Sequence, residues 1–154
     1  MNYHRYYPLD VVNGPGTRCT LFVSGCEHHC RGCYNQSTWR PDSGYPFTPD
    51  LEDQIITDLN DSRIPRQGLS LSGGDPLYPA NISTILRLVS RINAECPGKD
   101  IWLWSGYRFQ WLTNEQRKIV ARINVLIDGK FIDSQKDLTL KWRGSRNQRI
   151  WYLR

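Results

Sequence analysis

The sequence of 154 residues has no apolar run approaching the roughly 18 residues that cross a bilayer. Its start, Met1-Asn2-Tyr3-His4-Arg5, lacks the apolar stretch of a signal peptide. Internal repeats, low-complexity tracts and linker-like segments are also missing, which excludes a repeat array and favours a single domain over residues 1–154. Cysteine comes to five, an odd count that argues against a disulfide framework. The expectation is a cytosolic protein with no membrane partner. What is present, 39% apolar and 23% charged residues, is the balance of one globular domain.

Charge is unevenly placed. The formal net charge is +5, and five basic residues (Lys141, Arg143, Arg146, Arg149 and Arg154) fall in the last fourteen positions without an acidic one. The rest of the chain carries fifteen charges of each sign. A uniformly basic surface would point to nucleic acid. A neutral body with a basic segment that also holds Trp142, Trp151 and Tyr152 leaves three readings open: a solvated terminal arm, a binder of single-stranded nucleic acid, or a protein interface with Trp, Tyr and Arg as its anchors.

Three of the five cysteines lie in one window, Cys26-Glu27-His28-His29-Cys30-Arg31-Gly32-Cys33. Clustered thiols in a reducing compartment bind metal or do redox work. Structural zinc needs four protein ligands, so a set of three suits an open site, as in a four-iron cluster that keeps one iron free. Zinc stays open as an alternative if His28, His29 or Cys19 supplies a fourth ligand. The two histidines are otherwise expected to be solvated loop residues, and Cys19 and Cys96 structural ones.

Short β-rich runs alternate with helical patterns, the signature of an α/β fold with parallel strands. The strand candidates are Thr20–Val23, Leu69–Leu71, Ile101–Trp104 and Val125–Ile127. Helical spacing appears at Leu51, Ile55, Ile56 and Leu59 behind Thr48-Pro49, and at Ile82, Ile85, Leu86, Val89 and Ile92 after Asn81 and before Pro97-Gly98. It appears again at Ile119, Val120 and Ile123 after Thr113, with Gln116 in capping-box register. Ligand sites in such sheets lie beyond the carboxyl ends of the strands. That rule gathers the cysteine loop, Ser72-Gly73-Gly74-Asp75-Pro76, Ser105-Gly106-Tyr107 and Asp128-Gly129-Lys130 on one rim. A complete (β/α) barrel needs about 250 residues, so the length predicts a partial, open barrel. The long irregular stretch from Ser24 to Phe47 reads as functional. The tryptophans of the third run read as core or wall residues.

The cysteine loop after a first strand, followed by a Gly-Gly-acidic-Pro turn after a second, resembles the radical S-adenosylmethionine superfamily. Asn13-Gly14-Pro15-Gly16, Cys33-Tyr34-Asn35, Ser72 to Leu77, Trp142-Arg143-Gly144-Ser145 and Asn147-Gln148-Arg149 narrow the resemblance to its glycyl-radical activating branch, the family that activates anaerobic ribonucleotide reductases. The likeness runs from Asn2 to at least Arg149. It departs from the superfamily at Gly32, where an aromatic residue is common, and at Asp75, where glutamate is usual.

The resemblance implies an oxidoreductase whose Cys26, Cys30 and Cys33 hold a 4Fe-4S cluster, with S-adenosylmethionine chelating the fourth iron. Reductive cleavage would give a 5′-deoxyadenosyl radical that takes a hydrogen atom from a glycine of the reductase. Gly32, Cys33, Tyr34, Gly73, Gly74 and Asp75 are the implied cofactor contacts. The partner would be the large, glycyl-radical subunit of the reductase in a hetero-oligomer, with a reduced flavodoxin-like donor and no side-chain acid or base. The cofactor carries the hard chemistry, and the protein orients it. Two other functions remain: a zinc-stabilised nucleic-acid-binding module, and an activase of a different glycyl-radical enzyme. The basic segment is expected to dock the reductase.

Overall fold

Apolar residues alternating with small or polar ones give each predicted strand one face to bury, and in the computed structural model, which describes residues 1–154, all four lie side by side. In chain order the elements are β1 (Asn2–Asp10), β2 (Arg18–Val23), β3 (Tyr45–Pro46), α1 (Pro49–Asn60), β4 (Gly68–Gly73), α2 (Ile82–Glu95), β5 (Asp100–Trp104), α3 (Asn114–Val120), β6 (Val125–Asp128) and β7 (Arg149–Tyr152). They form one seven-stranded sheet of order β3-β1-β2-β4-β5-β6-β7. The central strands β2, β4, β5 and β6 are parallel, and the outer pairings are antiparallel. The sheet is open, with β3 and β7 at its two edges.

Register explains the core. Leu21 stands beside Leu71, Leu71 beside Leu103, and Leu103 beside Leu126, a row of fully buried leucines on one face. All three helices lay their apolar stripes on this face, α1 through Ile55 and Leu59, α2 through Ile85, Val89 and Ile92, α3 through Ile119. Each such side chain contributes ~1.5–3 kcal/mol by leaving water. Cys19 and Cys96 belong to this cluster, as expected of structural thiols. The opposite face is different in kind, with buried Arg18, Thr20 and Ser70 on its polar side. Trp102, Val125 and Ile127 pack there against Trp104, Trp142 and Ile150, so the tryptophans of β5 are wall residues.

The helix starts follow their local chemistry. Thr48 accepts from the Leu51 N–H ahead of Pro49, and Thr113 and Gln116 close a reciprocal capping box. Asn81, at the N-cap of α2, makes no side-chain cap: its Nδ2 donates to the carbonyls of Ser24 and Asp75, behind the rim.

The structure corrects the sequence reading at both ends. A hairpin partner precedes the first predicted strand, since Asn2–Asp10 pairs antiparallel with β2. Nor is the basic segment a terminal arm. Arg149–Tyr152 is strand β7 paired to β6, and the Arg149 guanidinium lies 2.8 Å from Oδ2 of fully buried Asp128. No helix is long and apolar enough to cross a membrane.

Candidate functional site

Each parallel strand ends in a small or polar turn, and the four turns border one cleft of about 310 Å³. The first carries Cys26, Cys30 and Cys33; the second Gly73, Gly74 and Asp75; the third Ser105 and Gly106; the fourth Gly129, Lys130 and Phe131. Motifs far apart in the sequence thus meet because consecutive central strands are parallel neighbours. Tyr34 also lines the cleft. Gly32 does not: it sits at a positive-φ turn facing Asp133.

The start of the cysteine loop is fixed by backbone to the segment that follows it. The Gly25 N–H donates to Thr38 O at 2.7 Å and the Cys26 N–H to Trp39 O at 3.0 Å. Burial pushes the Cys26 thiol up to about 11, against the backbone N–H groups of His28 and His29, which favour its thiolate. Burial likewise raises Cys30, eased by the N–H of Phe131. The Asn35 N–H lies 3.4 Å from the Cys33 sulfur. Thiols held neutral by burial ionise when a cation binds, and N–H groups aimed at the sulfurs tune the bound centre.

This donor set fits an iron–sulfur cluster better than zinc. The candidate fourth ligands are engaged elsewhere: the His28 ring meets Asp75, the His29 ring stacks on Trp39 at 4.4 Å, and Cys19 is buried in the core. His28 is therefore no solvated loop residue. Its side chain is 5% exposed, with Nε2 at 2.7 Å from Asp75 Oδ2. Two buried donors, Trp39 Nε1 and Arg143 Nε, have no acceptor in the protein, and both residues line the cleft. An acceptor-rich group between them and the cysteines would satisfy both.

The Gly-Gly-Asp turn packs closely on the start of the cysteine loop. A Cβ on Gly74 would stand 2.5 Å from Gly25 O, so this glycine lets the turns of β2 and β4 touch. The Gly74 N–H donates to Val23 O and the Asp75 N–H to Gly25 O, which directs these amides into the protein and leaves carbonyls as what the turn can offer a ligand. The Asp75 carboxylate is 1% exposed and saturated, with Leu77 N–H on Oδ1 and His28, Ser105 Oγ and Gly106 N–H on Oδ2.

Ser105 and Lys130 line the cleft from the turns that the sequence gathered on the rim, and His28, Trp39 and Arg143, to which the resemblance gave no cofactor contact, complete it. Arg143 belongs to a segment the sequence marked as a motif but grouped with the basic end. Gln148 staples that segment, its Oε1 accepting from Gly144 and Ser145 N–H and its Nε2 donating to Gly129 O. Trp142 holds φ at +66°, fastened by the Trp104 indole on its carbonyl at 2.6 Å.

Residues 12–151 match the model of the 4Fe-4S single cluster domain. The chain is 66% identical over 154 residues, all of both chains, to the anaerobic ribonucleoside-triphosphate reductase-activating protein of Escherichia coli (strain K12). It is 63% identical over 150 residues, 97% of each chain, to the protein of that name from Vibrio cholerae. To that of Enterobacteria phage T4 it is 50% identical over 153 residues, 98% of this chain and 94% of the phage one. An open α/β sheet with three thiols at the end of a parallel strand, matched by that domain model, is the build of an iron–sulfur protein with a single cluster. The chain belongs to the family of anaerobic ribonucleoside-triphosphate reductase-activating proteins.

Proposed function

We propose that this protein is a radical S-adenosylmethionine enzyme that generates a glycyl radical on an anaerobic ribonucleotide reductase. The observation that carries the reading is the meeting of Cys26, Cys30 and Cys33 with the Gly73-Gly74-Asp75 turn in one cleft. When bound there, the cluster and S-adenosylmethionine supply an electron and a carbon radical able to take hydrogen from a glycine Cα. The chain's own residues bind, orient and exclude. The three thiolates ligate iron, and the carbonyls of the Gly-Gly turn accept from an ammonium. Cys33 and Tyr34, which line the cleft, take the adenine contact in this reading, and Gly32 serves from outside the cleft by turning the chain into Cys33. No side chain is needed to move a proton.

The open sheet supports a macromolecular substrate, because a half-closed wall leaves the cleft reachable from one side. A partial barrel completed by the large subunit of the reductase, in the cytoplasm, with a flavodoxin-like donor, goes with this reading. The zinc-module alternative lacks a fourth ligand. An activase of another glycyl-radical enzyme would share the cleft and differ only in partner.

The test is anaerobic reconstitution. Wild-type protein should hold a 4Fe-4S cluster, consume S-adenosylmethionine when reduced, and raise a glycyl doublet on an anaerobic ribonucleotide reductase in paramagnetic resonance. Cys26→Ala, Cys30→Ala and Cys33→Ala should each abolish cleavage. Intact cleavage in all three would sink the proposal, and cleavage without a doublet would reject this partner.

A further inference from the structure

Between Cys26 and Cys30 the chain has one deeply buried polar side chain, and it ties the loop to the turn of the next parallel strand. Asp75 is an acceptor-only carboxylate, so the His28 ring must donate through Nε2–H. The same carboxylate oxygen takes the Ser105 hydroxyl at 3.0 Å and the Gly106 N–H at 2.9 Å, so one carboxylate gathers the ends of β4 and β5 and the cysteine loop. The ring is also gripped from the sides. Tyr107 meets it edge-on at 4.4 Å, and its hydroxyl donates to the Glu27 carboxylate. A Cβ on Gly106 would collide with the imidazole.

We propose that His28 is a positioning residue that fixes the span between the cluster and the Gly73-Gly74 carbonyls. This rests on the proposed function, because the ligand that feels the span is the amino-acid end of S-adenosylmethionine, held by iron on one side and by the turn on the other. It goes further in assigning Asp75 to the loop: with four donors on it, this carboxylate organises the rim and is not free for the ligand's ammonium. Severing the His28–Asp75 link frees the loop between two cluster ligands, so the cluster can still assemble while its open iron drifts from the turn.

The experiment uses reconstituted full-length protein and S-adenosylmethionine as the probe. It measures iron per chain, the dissociation constant by equilibrium dialysis, and the shift that the probe causes in the paramagnetic signal of the reduced cluster. His28→Leu should keep wild-type iron content, bind about tenfold or more weakly, and lose the spectral shift at subsaturating probe, the scale seen when outer partners of metal ligands are removed. His28→Gln, whose Nε2 can reach Asp75, should recover most of the affinity. Gly106→Ala, which displaces the ring without altering either partner, should behave like His28→Leu. Wild-type affinity in His28→Leu overturns the inference, as does loss of iron in both His28 variants. Wild-type protein that holds its cluster and binds no S-adenosylmethionine brings down the proposed function itself, a result read without any variant.

Discussion

Asp10, the last residue of β1, shows how a single carboxylate can hold a loop over the polar face of the sheet. It accepts from Thr20 Oγ1 at 2.6 Å, from Asn13 Nδ2 at 2.9 Å and from the Val12 N–H at 3.1 Å. Burial alone would raise its pKa, but the hydrogen bonds from Thr20, Asn13 and Val12 outweigh it and hold the group below its ordinary 3.8. A folded value below the unfolded one means stabilisation that is complete above the unfolded pKa and fades as pH falls through the folded one. The urea midpoints of wild type and Asp10→Asn should therefore differ by a constant amount from about pH 7 to about pH 5, and draw together below about pH 4. Midpoints that stay parallel down to about pH 3 would show that the ionised carboxylate adds nothing. His28 and Asp75 belong to the same scale and were invisible in the sequence as a pair. Forty-seven positions separate them, and a histidine in a cysteine-rich loop shows no preference for one distant carboxylate.

At the scale of elements, what the sequence disclosed follows burial. The four central strands and the three helices each bury a regular stripe, and periodicity marked all seven. The edge strands bury no complete face. In β1, no residue of Asn2–Asp10 is fully buried, so no alternation of apolar and polar residues appears. Arg149–Tyr152 carries the β-favouring Ile150, Trp151 and Tyr152, yet four residues beside a run of arginines read as a charged segment. Arg18 was missed for a related reason, since a lone arginine at a strand start looks like surface. It is wholly buried at the start of β2 and reaches Ser70 Oγ and the Leu69 carbonyl on β4, and Asp100 at 2.5 Å on β5. This one guanidinium fastens three neighbouring strands at the end opposite the cleft. Breaking a buried pair from one side leaves unpaired acceptors, and Arg18→Met should cost about 3 kcal/mol in urea unfolding. A loss below about 1 kcal/mol, the usual worth of an exposed pair, would mean that Asp100, 35% exposed, is content with water.

At the scale of the whole molecule, the excess of +5 divides by position. Arg143 lines the cleft, and Arg149 is committed to buried Asp128. Lys141 and Arg146 remain exposed and form no ion pair, on the segment that borders the cleft. On the other side, Val12 and Tyr34 line the cleft while staying 71% and 90% exposed. Exposed apolar and basic groups around the opening to the proposed radical site suit the docking of a reductase there, which the following variant tests. Exposed charges act mainly on encounter and are screened by salt. Lys141→Glu combined with Arg146→Glu should therefore weaken binding to an anaerobic reductase several-fold at low ionic strength and much less at high. Uncoupled S-adenosylmethionine cleavage should be unchanged in this variant, because neither residue reaches the cleft. Arg149→Ala should act by another route, lowering stability because Asp128 is left buried without its cation. Unchanged reductase affinity of the double variant at low salt would move the docking surface away from the mouth. The positive excess would then serve the sheet and the cleft rather than the partner.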